Sequence, residues 1–160
     1  MPNIIPYTPA HREDCLTAFH SNRPKYFTEE EVLLFTNWLD QHGDDNFFVM
    51  EHEGKIVACG GVFHDAKQAV AGLAWGMVHQ DYHKKGFGKL FTLFRIDLMR
   101  QLFPDFLHQM NTTQHTVAFY EKMGFHTVKI TPDGFAPGYD RYDMEGRWSN
   151  PATPAAPPAQ

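Results

Sequence analysis

Along this chain, apolar residues recur at steps of three and four in some stretches and cluster in short runs in others. The two patterns read as helices and strands. Between residues 10 and 20, Ala10, Cys15, Leu16, Ala18 and Phe19 stand among polar neighbours, which predicts a first helix. Residues 21 to 27, Ser-Asn-Arg-Pro-Lys-Tyr-Phe, break it. Thr28-Glu29-Glu30-Glu31 is a helix start, with Thr28 as N-cap, acids in the first turn and Glu31 at the capping-box position. Val32, Leu34, Phe35, Trp38 and Leu39 continue it as an amphipathic helix ending near Gly43. Phe47 to Glu51 and Ile56 to His64 are β-rich runs around Glu53-Gly54-Lys55, a hairpin signal. Ala69 to His79 carries little charge and predicts a strand buried on both faces. A helix follows, with Phe87, Leu90, Phe91, Phe94, Leu98 and Leu102 on one face, and Pro104 stops it. Phe106 to Met110 predicts a short strand, and Gln114 to Met123 a helix with Gly124 at its C′ position. Strands near His126 to Ile130 and Arg141 to Glu145 flank the turn-rich Pro132-Asp133-Gly134 and Pro137-Gly138.

The chain has 160 residues, 42% hydrophobic and 14% aromatic, enough for one domain with a real core. That domain is expected over residues 1–148. Residues 149–160 are rich in proline and alanine, cannot bury a core and read as a flexible tail. Net charge is −5 and pI about 6.0, with no long run of one sign. Nucleic acid is therefore not an expected partner, since backbone binding needs a concentrated basic surface. Cys15 and Cys59 set no disulfide framework and have no C-x-x-C context. No secretion signal and no 18-residue apolar stretch is visible, so a cytoplasmic protein without membrane association is expected.

The densest chemical signal is His83-Lys84-Lys85-Gly86-Phe87-Gly88-Lys89, at the passage from strand to helix. Backbone N–H groups of such a turn, the helix dipole behind them and three lysines make a seat for phosphate. The spacing is not the G-x-G-x-x-G of a dinucleotide fold, because Phe91 holds the third position. Nor is it a P-loop, because Leu90 follows Gly88-Lys89 and no glycine lies five residues before Gly88. The stretch Val78 to Gly88 resembles the pyrophosphate loop of the GNAT acetyltransferases, V-x-P-x-Y-R-x-x-G-x-G. His83 stands in the place of Arg or Gln, and Gln80 in the place of Pro. Thr113 to Phe125 resembles the same family's later F-Y-E-K-x-G-F helix, and the order and separation of the two motifs agree.

The resemblance implies an α/β fold: a single GNAT domain with a central mixed, mostly antiparallel twisted sheet flanked by helices. It implies acetyl-CoA as co-substrate and an amine as acceptor, with direct attack of the amine on the thioester. Residues implied to hold the co-substrate are Met77, Val78, His83, Lys84, Lys85, Gly86, Phe87, Gly88, Lys89, Thr113 and Phe119. Amides at Met77 and Val78 are candidates for an oxyanion hole. Tyr120 matches the tyrosine that the family often uses as general acid toward the leaving thiolate. Tyr26 and Phe27 fall where the fold shapes the acceptor pocket, and a homodimer is compatible with the family.

His79 and His83 are four apart, but on a loop and without a neighbouring acid or cysteine, so no metal is expected. Some members carry a Glu six residues before the valine at Val78; that position is Gly72 here, and no acid lies between Asp65 and Asp81. A water relay is the expected route for the acceptor's proton, with His64, Asp65 and Glu31 as possible contributors. Neither cysteine adjoins a motif, which argues against a Cys-linked acyl-enzyme. A different acyl-CoA and a non-catalytic acyl-CoA sensor are the competing readings.

Overall fold

A computed structural model describes residues 2–23, 26–43 and 45–148. The expected tail, 149–160, lies outside the described residues. The elements run β1 (Asn3–Pro6), α1 (Arg12–Ser21), α2 (Glu31–His42), β2 (Phe47–His52), β3 (Lys55–Asp65), β4 (Val70–Val78), α3 (Phe87–Leu102), β5 (Leu107–Thr112), α4 (Val117–Lys122), β6 (Phe125–Ala136) and β7 (Tyr139–Gly146). The strands hydrogen-bond in the order β1-β2-β3-β4-β5-β7-β6. β4 and β5 are parallel, whereas β1–β2, β2–β3, β5–β7 and β6–β7 are antiparallel. This is the mixed, mostly antiparallel α/β sheet that the resemblance implied. No helix among the described residues is long and apolar enough to cross a membrane.

Among the described residues, two compact units can be described in turn, 2–63 with Leu73–Thr92, and His64–Gly72 with 93–148. In the first, the expected hairpin closes through Glu53 and Gly54, both at positive φ, with His52 paired to Lys55. Positive φ at both central residues matches the right-handed twist of the flanking strands. β1 was not expected. Its four residues show no alternation, and the strand exists through its pairing with β2, from Asn3↔Glu51 to Pro6↔Phe48. The core of this unit gathers Tyr7, Cys15, Ala18, Phe19, Phe35, Leu39, Phe47, Val49, Cys59 and Met77. Both cysteines are buried and reduced, packing as small apolar residues. Phe19 stacks on Phe27 at 4.7 Å and on Phe35 at 5.1 Å between ring centroids.

In the second unit, Ala69 takes a φ of 54°, so β4 begins one residue later than expected. Leu107 N–H bonds to the Ala69 carbonyl at 2.9 Å and starts the parallel pairing Val70↔Leu107. α4 is shorter than its pattern suggested. Gln114 is drawn out of the helix, because its amide bonds Gly138 O at 2.7 Å and accepts from Asp140 N–H at 2.9 Å. β6 and β7 are longer than expected. Pro132-Asp133-Gly134 is a bulged part of β6, and the chain reverses at Pro137-Gly138, between Ala136 and Tyr139.

The end of β7 is clamped by Trp148. Its Nε1–H donates to His108 Nδ1 at 2.8 Å, and His108 Nε2–H donates to Phe103 O at 2.7 Å, which fixes the imidazole tautomer. The Arg100 guanidinium sits 5.0 Å from the indole centroid. The indole lies flat against Gly146, where a Cβ would run into the ring. Gly146→Ala is expected to cost about 1–3 kcal/mol through overpacking. A urea unfolding midpoint equal to that of the wild type would show that the indole has room to move.

Candidate active site

The site grows from the end of β4. Trp75, in mid-strand, has a φ of 48°, a backbone conformation uncommon for a side-chain-bearing residue. Its ring packs against Phe35 at 5.1 Å, so the aromatic cluster of α1 and α2 holds the irregular backbone in place. Met77 is buried, and Val78, half-buried, ends the strand. The Val78 carbonyl accepts two hydrogen bonds, from Asn22 Nδ2 at 2.8 Å and from His83 Nε2 at 2.9 Å. A single 3-10 turn, Gln80–Tyr82, follows, and His83 is extended. Lys84 and Gly86 then take φ of 64° and 82°.

Gly86 opens α3. Its carbonyl accepts Leu90 N–H at 3.1 Å, so the N–H groups of Phe87, Gly88 and Lys89 belong to the first turn, which has no intrahelical partners. Apart from its two chain neighbours, no described residue comes within 4 Å of where a Gly86 Cβ would stand. A side chain there would meet strain from φ and would fill open space in front of the helix end. Lys84, Lys85 and Lys89 are exposed around it. The Phe87 ring turns away onto the protein, 4.8 Å from His52. Backbone donors, a 16-residue helix dipole and three cations therefore surround a space able to hold a phosphate group. This fits the pyrophosphate of a nucleotide-bearing co-substrate.

His83, where the resemblance has Arg or Gln, spends its Nε2–H on Val78, which leaves Nδ1 as an acceptor in the neutral ring and as a donor to a phosphate only in the imidazolium. His79 uses Nδ1 to accept Asp81 N–H at 3.1 Å. The Tyr26 ring meets the His83 ring edge-on at 5.8 Å, while Phe27 is held in the aromatic stack. Asn22, which sequence reasoning missed, sits behind these residues and is 5% exposed. Its partner on β4 is 56 residues away, and no local pattern marks such a bond.

Thr28 is not the N-cap of α2, a place taken by Glu30, and only the Glu31 half of the expected capping box forms. Glu31 accepts from the Thr28 N–H at 3.1 Å and from the Thr28 hydroxyl at 3.3 Å, although the helix proper begins only at Glu31. In the second unit, Thr113 is buried and its carbonyl accepts Thr116 and Val117 N–H, setting the start of α4. Tyr120 is half-buried, with its ring edge-on to Phe119 at 5.1 Å and to Phe125 at 6.3 Å.

This geometry places the chain among α/β proteins with an anion seat at a strand-to-helix turn. Comparison with known proteins identifies the family. Residues 43–127, more than half the chain, match the acetyltransferase (GNAT) domain, and the chain belongs to the GNAT acetyltransferases. Among solved structures it is similar to Ard1 from Thermoplasma volcanium, at 17% identity and TM-score 0.72, covering 90% of this chain and 95% of that one. It is similar to the ribosomal-protein-S18-alanine N-acetyltransferase from Escherichia coli, at 16% identity and TM-score 0.71, covering 98% and 97%. It also matches N-acetylglutamate synthase from Neisseria gonorrhoeae complexed with coenzyme A and N-acetyl-glutamate, at 14% identity and TM-score 0.67, covering 92% of this chain and 36% of that one. Among curated proteins nothing matches.

Burial pushes the Glu31 carboxyl above the ordinary carboxylate range, against the opposing effect of its bonds to Thr28. An acid raised in the fold binds its proton more tightly there than in the unfolded chain. Its contribution to stability is thus full below the unfolded value and is lost as pH rises through the folded one. Glu31→Gln keeps an oxygen for Thr28 and removes the charge. We expect the variant to melt above the wild type at pH 7, with the gap closing toward pH ~4. Thermal melts across that range that show no such closing gap would place Glu31 in full solvent contact.

Proposed function

We propose that this protein transfers the acetyl group of acetyl-CoA to a primary amine of a small molecule or peptide, by direct attack and without a metal. Residues 1–148 would carry the activity. The observation that carries the reading is the loop from His83 to Lys89, with left-handed backbone at Lys84 and Gly86, unfilled space beside Gly86 and the first turn of α3 behind it. Acetyl-CoA supplies a thioester-activated acetyl group. The N–H groups of Phe87, Gly88 and Lys89, the three lysines and His83 hold its pyrophosphate. Met77 and Val78 offer the strand-end backbone along which its arm is bound, with amides that serve as oxyanion donors. Thr113 and Phe119 complete the co-substrate side.

Tyr26 and Phe27 receive the acceptor, and its amine reacts only when uncharged, so the rate rises with pH until the amine is free. Tyr120 supplies the proton taken up by the departing thiolate. Its phenol can donate, and its hydroxyl makes no hydrogen bond to another described residue. That the GNAT relatives named above include proteins acetylating alanine and glutamate amines supports an amine acceptor here. Thiol release from acetyl-CoA, measured against polyamines, aminoglycosides, amino acids and peptides, tests the reading and identifies the acceptor class.

Acetyl-CoA at a hundred times its Kd should stabilise the fold by about 2.7 kcal/mol. In Gly86→Val this gain should vanish while the domain stays folded, because a branched side chain resists the positive φ and fills the phosphate space. Calorimetry showing unchanged CoA affinity in that variant would reduce the loop to an ordinary turn.

Tyr120→Phe should lower kcat at the low end of the ~10²–10⁴-fold typical of general-acid assistance, with little change in KM for acetyl-CoA. Wild-type kcat in the variant across the pH range would return Tyr120 to a packing role.

A further inference from the structure

We infer that Asn22 is a positioning residue that couples the co-substrate loop to the acceptor segment. The inference rests on the proposed acetyl-CoA and acceptor assignments. Four residues close a circuit of contacts within the first unit. Asn22 Nδ2 donates to Val78 O at 2.8 Å. His83 Nε2 donates to the same oxygen at 2.9 Å. The His83 ring meets the Tyr26 ring at 5.8 Å. Tyr26 N–H returns to Asn22 O at 2.9 Å.

The orientation of the Asn22 amide is forced. Its nitrogen also donates to Ala18 O at 2.8 Å, so both partners are carbonyl oxygens and only an NH₂ group can face them. Asn22 is therefore fixed by its own helix on one side and fixes the end of β4 on the other. Neighbouring Ser21 repeats the link, since its hydroxyl donates to Ala18 O at 2.7 Å and accepts Gln80 N–H at 3.0 Å. The backbone that presents Tyr26 thus hangs from Asn22, at the C-cap of α1, and the backbone that starts the phosphate loop hangs from Asn22 and Ser21.

Both lone pairs of Val78 O are taken, so this oxygen is closed to any amide of a bound co-substrate arm. What occupancy of the loop can change is His83, which as the imidazolium holds Val78 O with Nε2–H and offers Nδ1–H to a phosphate oxygen. Ordering His83 orders the Tyr26 ring packed on it and, through Asn22, the Tyr26 amide. Co-substrate binding then prepares the acceptor segment before an acceptor arrives, and by linkage an acceptor raises co-substrate affinity by the same factor.

Amide exchange at Tyr26 and Phe27, followed by NMR with and without CoA, tests the circuit together with CoA titration calorimetry. In the wild type, CoA should slow exchange at both amides by about tenfold, within the usual span of such couplings. Asn22→Ala, Asn22→Asp and His83→Ala should still bind CoA, with the slowing cut to less than about twofold. Each single variant leaves Val78 O one donor. The double variant Asn22→Ala/His83→Ala leaves it none, so the loss in CoA affinity should exceed the sum of the single losses. If Asn22→Ala does not fold, His83→Ala reads the same circuit from its other side. CoA binding without slowed exchange in the wild type, or full slowing retained in the variants, overturns the coupling and leaves the acetyl-CoA assignment standing. No CoA binding by the wild type overturns both.

Discussion

The site hangs on the Val78 carbonyl. A strand must end there, and within eight residues the backbone must turn into a helix whose first N–H groups face outward. Two side-chain donors, from Asn22 and His83, hold that oxygen, and with it the point where the loop departs. Past it, the helix itself holds position. Phe91, Ile96 and Met99 bury one face of α3, so the phosphate seat is the end of a packed element and not a loop left to itself. Left-handed backbone at Lys84 and Gly86 joins the two fixed ends. Glycine makes this easy at one position, and the other is left to a lysine whose side chain extends into solvent.

How much of this was legible in the sequence depends on whether the information is local. The loop and α3 are local. A six-residue apolar stripe, two glycines and a closing proline say where the helix runs and what its start can bind. The Glu53-Gly54 hairpin is local in the same sense. β1 is not, because Asn-Ile-Ile-Pro becomes a strand only beside β2. The strongest turn signal of the C-terminal half misled for a related reason. Asp133 does take positive φ, but its carboxylate accepts Gly138 N–H at 2.8 Å and its N–H donates to Asp140 Oδ1 at 2.9 Å. Cross-strand bonds thus absorb Pro132-Asp133-Gly134 as a bulge. The candidate site divides likewise. Gly86, the lysines and Tyr120 were visible as motif positions, whereas Asn22 and the irregular backbone at Trp75 follow from partners far along the chain.

The missing acid on β4 has a physical setting. Gly72 lies in the buried part of that strand, among Ala71, Leu73 and Ala74. A carboxylate there would have to be desolvated, and nothing among those neighbours would offset the cost. Glu31, at the start of α2 in the first unit, is by contrast a half-buried acid to which Thr28 donates two bonds. Its raised proton affinity comes chiefly from burial, with the neighbouring Glu30 charge adding to it.

Two kinds of specificity follow from this division. The donor side is made chiefly of backbone: first-turn amides, a carbonyl closed by two donors, and φ angles. Backbone groups are present whatever the side chains are, so a donor site of this kind can be built by very different sequences. On the proposed reading the acceptor side rests on side chains, those of Tyr26 and Phe27, on a segment that Asn22 ties to the end of β4. A change of acceptor therefore needs new side chains at a few positions and no change in the frame that seats the donor. Selectivity among amines should be written in that short segment, and the one place where altering it would disturb donor binding is the contact between Tyr26 and His83.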